Sequence, residues 1–344
     1  MGKNPYFIAE ISSNHCGNFD RAKELILSAK KFKADAVKLQ TFTPSSMTFN
    51  SKNKIFRIKS GLWKGHNYWD LYKKAQTPLS WHKKLFEFSR KNGITIFSSP
   101  FDDKSVDFLE NLNCPFYKVA SFEMTDFPLV KKIAQTNKPM IISTGMATLK
   151  EIYRSYNYAK KNGAKKITLL YCVSNYPAKN SDFNLNNIQI LKKEFNCTVG
   201  FSDHSLNNQI AYSAIAAGAE VIEKHIALEN QIDGFDIKFS LRGNEIDKFR
   251  KGINQVSKLM GKNFFWRSPD EKKNKVFRRS IYAIKKIKKN EKFTKKNIKV
   301  LRPNHGLEPY YYDLIIGTKS PYNLNKAEPL KRNFIKKLSI KDLS

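Results

Sequence analysis

Two histidines pose the first chemical question. In "VGFSDHSLNNQIAYSAIAAGAEVIEKHIALE" (199–229), His204 and His225 each stand at the end of an apolar run that reads as a β-strand, in a chain with only six histidines. Imidazoles on adjacent strands can share a divalent cation, and two such ligands leave open positions for water and substrate oxygens. The competing reading is a pair of hydrogen-bonded core histidines. No C-x-x-C or H-E-x-x-H pattern adds further ligands.

Other polar side chains gather at the C-terminal ends of similar runs. The first run gives Glu10, then Asn14 and His15, and the second gives Lys38 and Gln40, two apart and so on one face. Ser98 and Ser99 end the third, and Lys118, Ser121 and Glu123 the fourth. Ser143 and Thr144 end the fifth; Ser174, Asn175 and Tyr176 the sixth. Ser202 and Asp203 precede His204, and Glu223 precedes His225. Two strand lysines ringed by hydroxyls suit a phosphate, the lysines as point charges and the hydroxyls as donors. A single lysine would more naturally pair with a core carboxylate such as Glu10. Two lysines with several hydroxyls favour an anion site.

The elements that must carry these groups follow a regular alternation. Eight short apolar runs, at 7–12, 35–42, 94–101, 116–123, 140–146, 167–174, 198–205 and 221–228, are separated by helical patterns. Runs apolar on both faces suit a buried parallel sheet. "TLKE" (148–151) has capping-box spacing for a helix stopping near Gly163. A second helix is expected from Ser205 to Gly218, and Ile246, Phe249, Ile253 and Val256 give a helical stripe ending at Gly261. This predicts a (β/α)8 TIM barrel over 1–262, whose catalytic groups lie at the C-terminal ends of the strands. A doubly wound sheet is the rival, but "ISSNHCGN" is not a G-x-G-x-x-G loop.

The connection 43–78 is long for a compact domain, and its aromatic stretch 62–72 reads as a lid or as a surface patch. Residues 263–279 read as a linker. The segment 280–344 reads as a small β-rich domain, with strands expected in "RSIYAIKKI", "KFTKKNIKVLRP", "LIIGTK" and "EPLKRNFI".

The formal charge is +32, which raises the possibility of a basic nucleic-acid-binding protein. The lysines are spread along the whole chain instead of clustering, which favours attraction of small anionic substrates. Cys16, Cys114, Cys172 and Cys197 are scattered and read as reduced structural thiols with no partner base. No run of membrane-spanning length and no signal-peptide pattern is present, so a soluble cytoplasmic protein is expected.

Read together, "IAEISSNHCGN", "VKLQTF", "FSSPFD", "YKVASFE", "ISTGMA", "SNYPA", "GFSDHS" and "EKHIAL" resemble the sialic acid synthase family in the same order. "NIKVLRPNHGLEP" resembles its C-terminal antifreeze-like (SAF) domain. The resemblance spans about 7 to 335. It implies condensation of phosphoenolpyruvate with an N-acetylated amino-sugar. "VKLQTFT", the "LWKGHNYWDLYKKAQTP" connection and "FSSPFD" through "YKVASFEMTDFPL" look closest to the pseudaminic acid branch, whose acceptor is a 2,4-diacetamido-2,4,6-trideoxy-altropyranose. The N-acetylneuraminate and legionaminate branches are the near alternatives.

By this similarity Lys38, Ser99, Lys118, Ser121, Ser143, Ser174 and Ser202 would hold phosphoenolpyruvate. His204 and His225 would bind a divalent metal, Mn2+ first, with Mg2+ or Co2+ as alternatives. Glu10, Gln40 and Lys38 would act at the reacting centre, with Tyr176 and Asp236 toward the sugar. Arg302 would reach the sugar from the cap of a second subunit, implying a homodimer with exchanged caps, and neither a membrane nor a nucleic acid is expected as partner. The chain departs from the family at Asn304 and Ala327, where glycine is usual, and "GFDIKFS" lacks a proline common before Asp236. Asn304 is expected to sustain a turn with positive φ.

Overall fold

The computed structural model describes residues 4–176, 178–261 and 264–337. The expected boundary at 262 and 263, Pro177 of "SNYPA" and the expected cap residues beyond 337 lie outside the described residues. The chain divides into two compact units, Met1–Gly261 and Lys262–Ser344.

In the first unit eight parallel strands close on themselves. They are β1 (Tyr6–Glu10), β2 (Ala36–Thr41), β3 (Thr95–Pro100), β4 (Tyr117–Val119), β5 (Met140–Ser143), β6 (Ile167–Cys172), β7 (Thr198–Asp203) and β8 (Val221–Ala227). They pair in sequential order, and β8 returns to β1. This is the expected (β/α)8 barrel. Its strands are buried along nearly all their length because both faces are covered, and β8 is buried throughout. A two-residue strand, β9 (Leu241–Arg242), adds to the end of β8.

Helices follow the strands. Thr148 and Glu151 form the expected capping box of the helix Leu149–Lys161. The helix after β7 starts later than the sequence suggested: it spans Asn208–Ala216 and is capped by Asn207. Ser205 does not cap it: its Oγ donates to Asn207 O at 3.1 Å, and Asn207 Oδ1 accepts from Gln209 N–H at 2.9 Å. The connection 43–78 holds short helical pieces at Pro44–Met47, Lys54–Phe56 and Tyr68–Ala75. Among the described residues no helix is long and apolar enough to cross a membrane.

The second unit begins with segments expected to be linker, here a helix Pro269–Lys273 and a 3-10 turn Asn274–Phe277. One antiparallel pair, β10 (Ser280–Ala283) and β11 (Ile298–Leu301), follows. Two strand expectations fail. "LIIGTK" supplies the end of a helical turn, Tyr312–Ile315, and Arg332–Lys337 of the last segment is 3-10 helix. In both places a short apolar run has helical as well as extended solutions, and the packing of Ile315 and Phe334 into this unit's core selects the helical one. Asn304 does not adopt positive φ. Its side chain instead accepts from Ser280 Oγ at 3.1 Å and donates to Lys275 O at 3.3 Å, so it holds the turn through hydrogen bonds. Ala327 does sit in the left-handed region, at φ 71°.

Candidate active site

The strand register brings the expected residues together. Glu10 on β1 pairs in register with Lys38 on β2 and with His225 on β8. Ser202 stands beside Glu223, and Asp203 beside Lys224, so continuing the register sets His204 beside His225. Because successive residues alternate faces, Glu223 and His225 share the inner face while Lys224 turns outward. At the C-terminal strand ends lies a cavity of about 490 Å3. Lys38, Gln40, Lys118, Ser121, Ser143, Tyr176, Ser202, His204, His225 and Asp236 all line it. A larger outer groove of about 870 Å3, between the helix Phe19–Lys31 and residues 228–233, contains none of these groups.

At the cavity floor both lysines pair with core carboxylates, as the sequence allowed for a single lysine. Lys38 is ion-paired with Glu10, lies 3.8 Å from Glu223 and donates to Ser99 Oγ at 3.4 Å. Lys118 donates to Glu223 Oε1 at 3.1 Å, and Ser202 donates to the same oxygen at 3.0 Å. Burial raises the Glu10 carboxyl to about 7 against the opposing pull of Lys38. Glu223 goes the other way. Burial would raise it, but Lys118 and Lys38 outweigh burial and hold it at about 2. Two buried carboxylates a short distance apart are thus split into one that exchanges protons near neutrality and one that stays charged. Glu10 Oε1 and Glu223 Oε2 have no hydrogen-bond partner.

A hydroxyl cradle adjoins the lysines. Gly145 N–H donates to Ser121 Oγ at 3.1 Å. A methyl on Gly145 would meet Ser174 Oγ at 2.0 Å and Ser121 Oγ at 2.8 Å, so only glycine lets these hydroxyls converge. Ser143 Oγ is buried without a partner. Glu10, Ser99 and Ser174 stand behind the cavity lining, the first two against Lys38 and the third beside Ser121.

The imidazoles fit a cation. The His204 and His225 rings are 5.4 Å apart, centroid to centroid. His225 Nδ1 is buried and lacks a hydrogen bond, with Asp236 Oδ2 3.8 Å away. Burial, then His204 and the nearby lysines, push the His225 pKa well below 6.5 and keep it neutral, the form that ligates metals. His204 Nδ1 is occupied by Cys172 Sγ at 3.8 Å and Val173 O at 3.4 Å. Among the described residues no cluster of three or more His, Cys, Asp and Glu side chains forms a ready-made cage. An ion held by these two rings would therefore keep open positions.

Asp236 is fixed by Ser12 at 2.5 Å and Ser13 at 3.2 Å, and Gln40 donates to Ser12 Oγ at 3.2 Å. Tyr176 packs on His204 at 4.6 Å. The connection 43–78 covers this side with Met47, Ile58, Trp63, Tyr68, Leu71 and Tyr72, as a lid would. Arg302 belongs to the second unit, where it is exposed after β11 and followed by a cis Pro303.

The chain matches the NeuB family over residues 25–264 and the SAF domain over 278–336. The chain belongs to the NeuB family. It is 41% identical to the pseudaminic acid synthase of Campylobacter jejuni, across 96% of each chain. It is 37% identical to the N,N'-diacetyllegionaminic acid synthase of the same species, across 96% of this chain and 99% of that one. The crystal structure of the N-acetylneuraminic acid synthetase from Leptospira borgpetersenii in complex with citrate superposes with a TM-score of 0.72 at 29% identity, over 79% of this chain and 90% of that one.

In this NeuB-family chain several site groups escaped sequence reasoning. Glu223 joins both lysines, yet at the sequence level it is only one polar residue in a strand. Ser12 and Ser13 fix Asp236 from more than 200 residues away in the chain. Cys172 does have a partner base, His204, which lowers the thiol's pKa against the effect of burial. The alternation of the strand and the stagger of β6 beside β7 could have suggested that contact. His15 and His82 prove structural. His15 Nε2 meets Thr77 at 3.0 Å, His82 Nε2 meets Thr41 at 2.8 Å, and burial depresses both rings to about 4.

Proposed function

We propose that this chain condenses phosphoenolpyruvate with the open-chain form of a 2,4-diacetamido-2,4,6-trideoxy-altropyranose, giving pseudaminic acid and phosphate. The observation that carries the reading is the convergence of two buried lysines, a hydroxyl cradle and paired imidazoles on one cavity. The acceptor is supported by the 41% identity to the Campylobacter pseudaminic acid synthase over nearly the full length of both chains.

Lys38 and Lys118 neutralise the phosphate and carboxylate of the enol ester, Ser121, Ser143 and Ser202 donate hydrogen bonds to its oxygens, and Ser99 and Ser174 support Lys38 and Ser121 from behind. A divalent cation, manganese first and magnesium or cobalt as alternatives, would be held by His204 and His225 and would polarise the sugar aldehyde. Gln40, Tyr176 and Asp236 orient the sugar so that its C1 lies within reach of the enol C3. The enol π pair forms the C3–C1 bond, the aldehyde oxygen takes a proton from solvent, to which Glu10 later returns one, and C2 becomes electron-poor. Water adds at C2, and Glu10, titrating near 7, accepts the proton it releases. The C2–O bond to phosphate then breaks. Phosphate leaves with the bonding pair and the hydroxyl proton, C2 becomes the ketone, and the lysines stabilise the departing charge. The proposal includes a homodimer in which Arg302 completes the sugar site of the neighbouring subunit.

Phosphate release from phosphoenolpyruvate, measured over a panel of amino-sugars with and without chelator, tests this reading. Greatest turnover with the altrose-configured diacetamido sugar, abolished by chelator and restored by manganese, is expected. Exclusive use of N-acetylmannosamine would remove the acceptor assignment, and undiminished turnover after chelation would remove the metal. The 37% identity to a legionaminic acid synthase makes the manno-configured diacetamido sugar the rival acceptor, and the same panel separates the two.

A further inference from the structure

The cavity has two unlike halves. Its floor, at the strand ends, is charged; its wall, from the connection after β2, is aromatic and aliphatic. Trp63 brings a buried, unpartnered donor to that wall. It lies at the tip of a tight loop closed by Ile58 N–H to His66 O at 2.9 Å and Gly65 N–H to Ile58 O at 2.9 Å. Its ring packs on Tyr176 at 5.5 Å, and Tyr176 packs on His204. Its Nε1 is buried and has no acceptor.

An indole N–H can only donate, and burying it unpaired forfeits its hydrogen bond to water. Trp63 lines the cavity while its donor is covered, and a ligand whose acceptor draws the indole toward it would satisfy that donor. Ile58, Leu71 and Phe42, which line the same cavity, favour an acceptor that also carries an apolar group. An acetamido group offers both, a carbonyl oxygen and a methyl; a hydroxyl offers no methyl.

We propose that Trp63 recognises the acetamido group at C4 of the acceptor sugar, the indole N–H donating to its carbonyl oxygen while the wall packs its methyl. The inference rests on the acceptor reading above and deepens it. With the aldehyde carbon placed toward the histidines, C4 carries the acetamido group remote from the reacting centre. Trp63 stands on that remote side, separated from His204 by the Tyr176 ring. Trp63 thus selects the diacetamido sugar over acceptors with a 4-hydroxyl.

The test is a cycle of one protein change and one substrate change. Wild type and Trp63→Phe, as full chains loaded with manganese, are assayed with the diacetamido sugar and with its analogue bearing a 4-hydroxyl. Phenylalanine keeps a ring and loses the donor. The preference for the diacetamido sugar, as a ratio of kcat/KM values, is expected to shrink about 10-fold, mostly through KM, with the KM for phosphoenolpyruvate unaltered. Equal losses on both sugars, or an unchanged ratio, would overturn the role of Trp63 and leave the acceptor reading standing. No turnover of the diacetamido sugar by wild type would overturn both. Trp63→Ala, which also removes the ring, is expected to weaken both sugars and to narrow the preference at least as much; an undiminished preference there would overturn the proposal independently.

Discussion

The barrel and the SAF unit hold their important residues in place by different means. In the barrel, position follows from register. Glu223, Lys224 and His225 are consecutive and all buried, yet the alternation of a strand sends the first and third into the cavity and the second toward the helices. Lys224 there donates to Asp203 Oδ2 at 2.8 Å and to Ser205 O at 2.5 Å, tying down the turn that follows His204. In the SAF unit two four-residue strands form the one named sheet among the described residues, and the other backbone hydrogen bonds are divided between turns and single pairings of distant segments, such as Ile287 N–H to Leu324 O at 2.9 Å and Leu307 N–H to Leu330 O at 2.6 Å. A barrel residue is therefore held by continuous ladders to its neighbours on either side, whereas a residue of the small unit is held where its own turn meets a single partner segment.

The sharpest way to break this contrast is to change neighbours on β8. His225→Ala should lower phosphate release by about 10^3-fold or more, the scale of losing several kcal/mol of electrostatic stabilisation, with urea stability little altered. Lys224→Met should do the reverse in kind. Leaving Asp203 buried and unpaired costs about 3–5 kcal/mol, and replacing both partners by apolar residues, as in Asp203→Leu with Lys224→Met, should recover most of it. Phosphate-release assays and urea denaturation of the same three proteins decide the matter. If Lys224→Met keeps full stability, or His225→Ala keeps full turnover, the division between inner and outer faces fails.

The same contrast explains what could be read from sequence. The eight barrel strands were legible because strands covered on both faces make uninterrupted apolar runs, and polar residues at their ends stand out against that background. The expected fourth run overshot, since β4 is only Tyr117–Val119 and the polar residues after it belong to a turn. Partnerships within the site were not legible. Lys118 finds Glu223 across 105 residues of chain and Ser12 finds Asp236 across 224, and no local pattern records either. Trp63 could be suspected of belonging to a lid, but not of carrying an unpaired buried donor. In the SAF unit "LIIGTK" misled because a short apolar run does not distinguish a strand from one helical turn, and only long-range packing chooses.

A smaller effect is expected from Glu123, on the cavity wall after β4. Its Oε2 is buried without a partner, and burial, the largest influence, raises its pKa to about 7. The folded chain therefore holds a proton that the unfolded chain releases near its ordinary pKa of 4.5, and stability falls as pH rises between those values. Glu123→Gln imitates the protonated acid at every pH. It should match wild type at pH 4 and exceed it at pH 8 by about 2–3 kcal/mol in urea denaturation. An equal difference at both pH values would show that the carboxyl does not titrate in this window.

The smallest expected change lies in the SAF unit and tests the other side of the comparison. Ala327 occupies the left-handed region at φ 71°, where a Cβ is strained by about 1–2 kcal/mol. The turn is clamped to β10 on both sides, Ala327 N–H donating to Ala283 O at 2.8 Å and Ala283 N–H to Glu328 O at 2.9 Å. Ala327→Gly relieves the strain but gives the unfolded chain more freedom, so the net gain should be about 0.5–1 kcal/mol. Because these bonds tie the turn to β10, the gain should appear as slower amide exchange at Ala283, by about two- to fivefold, with exchange in β1 and β8 unchanged. Slowing that spread equally through the barrel strands would mean that this turn is governed by the whole chain, and the distinction between register-held and turn-held residues would lose its basis.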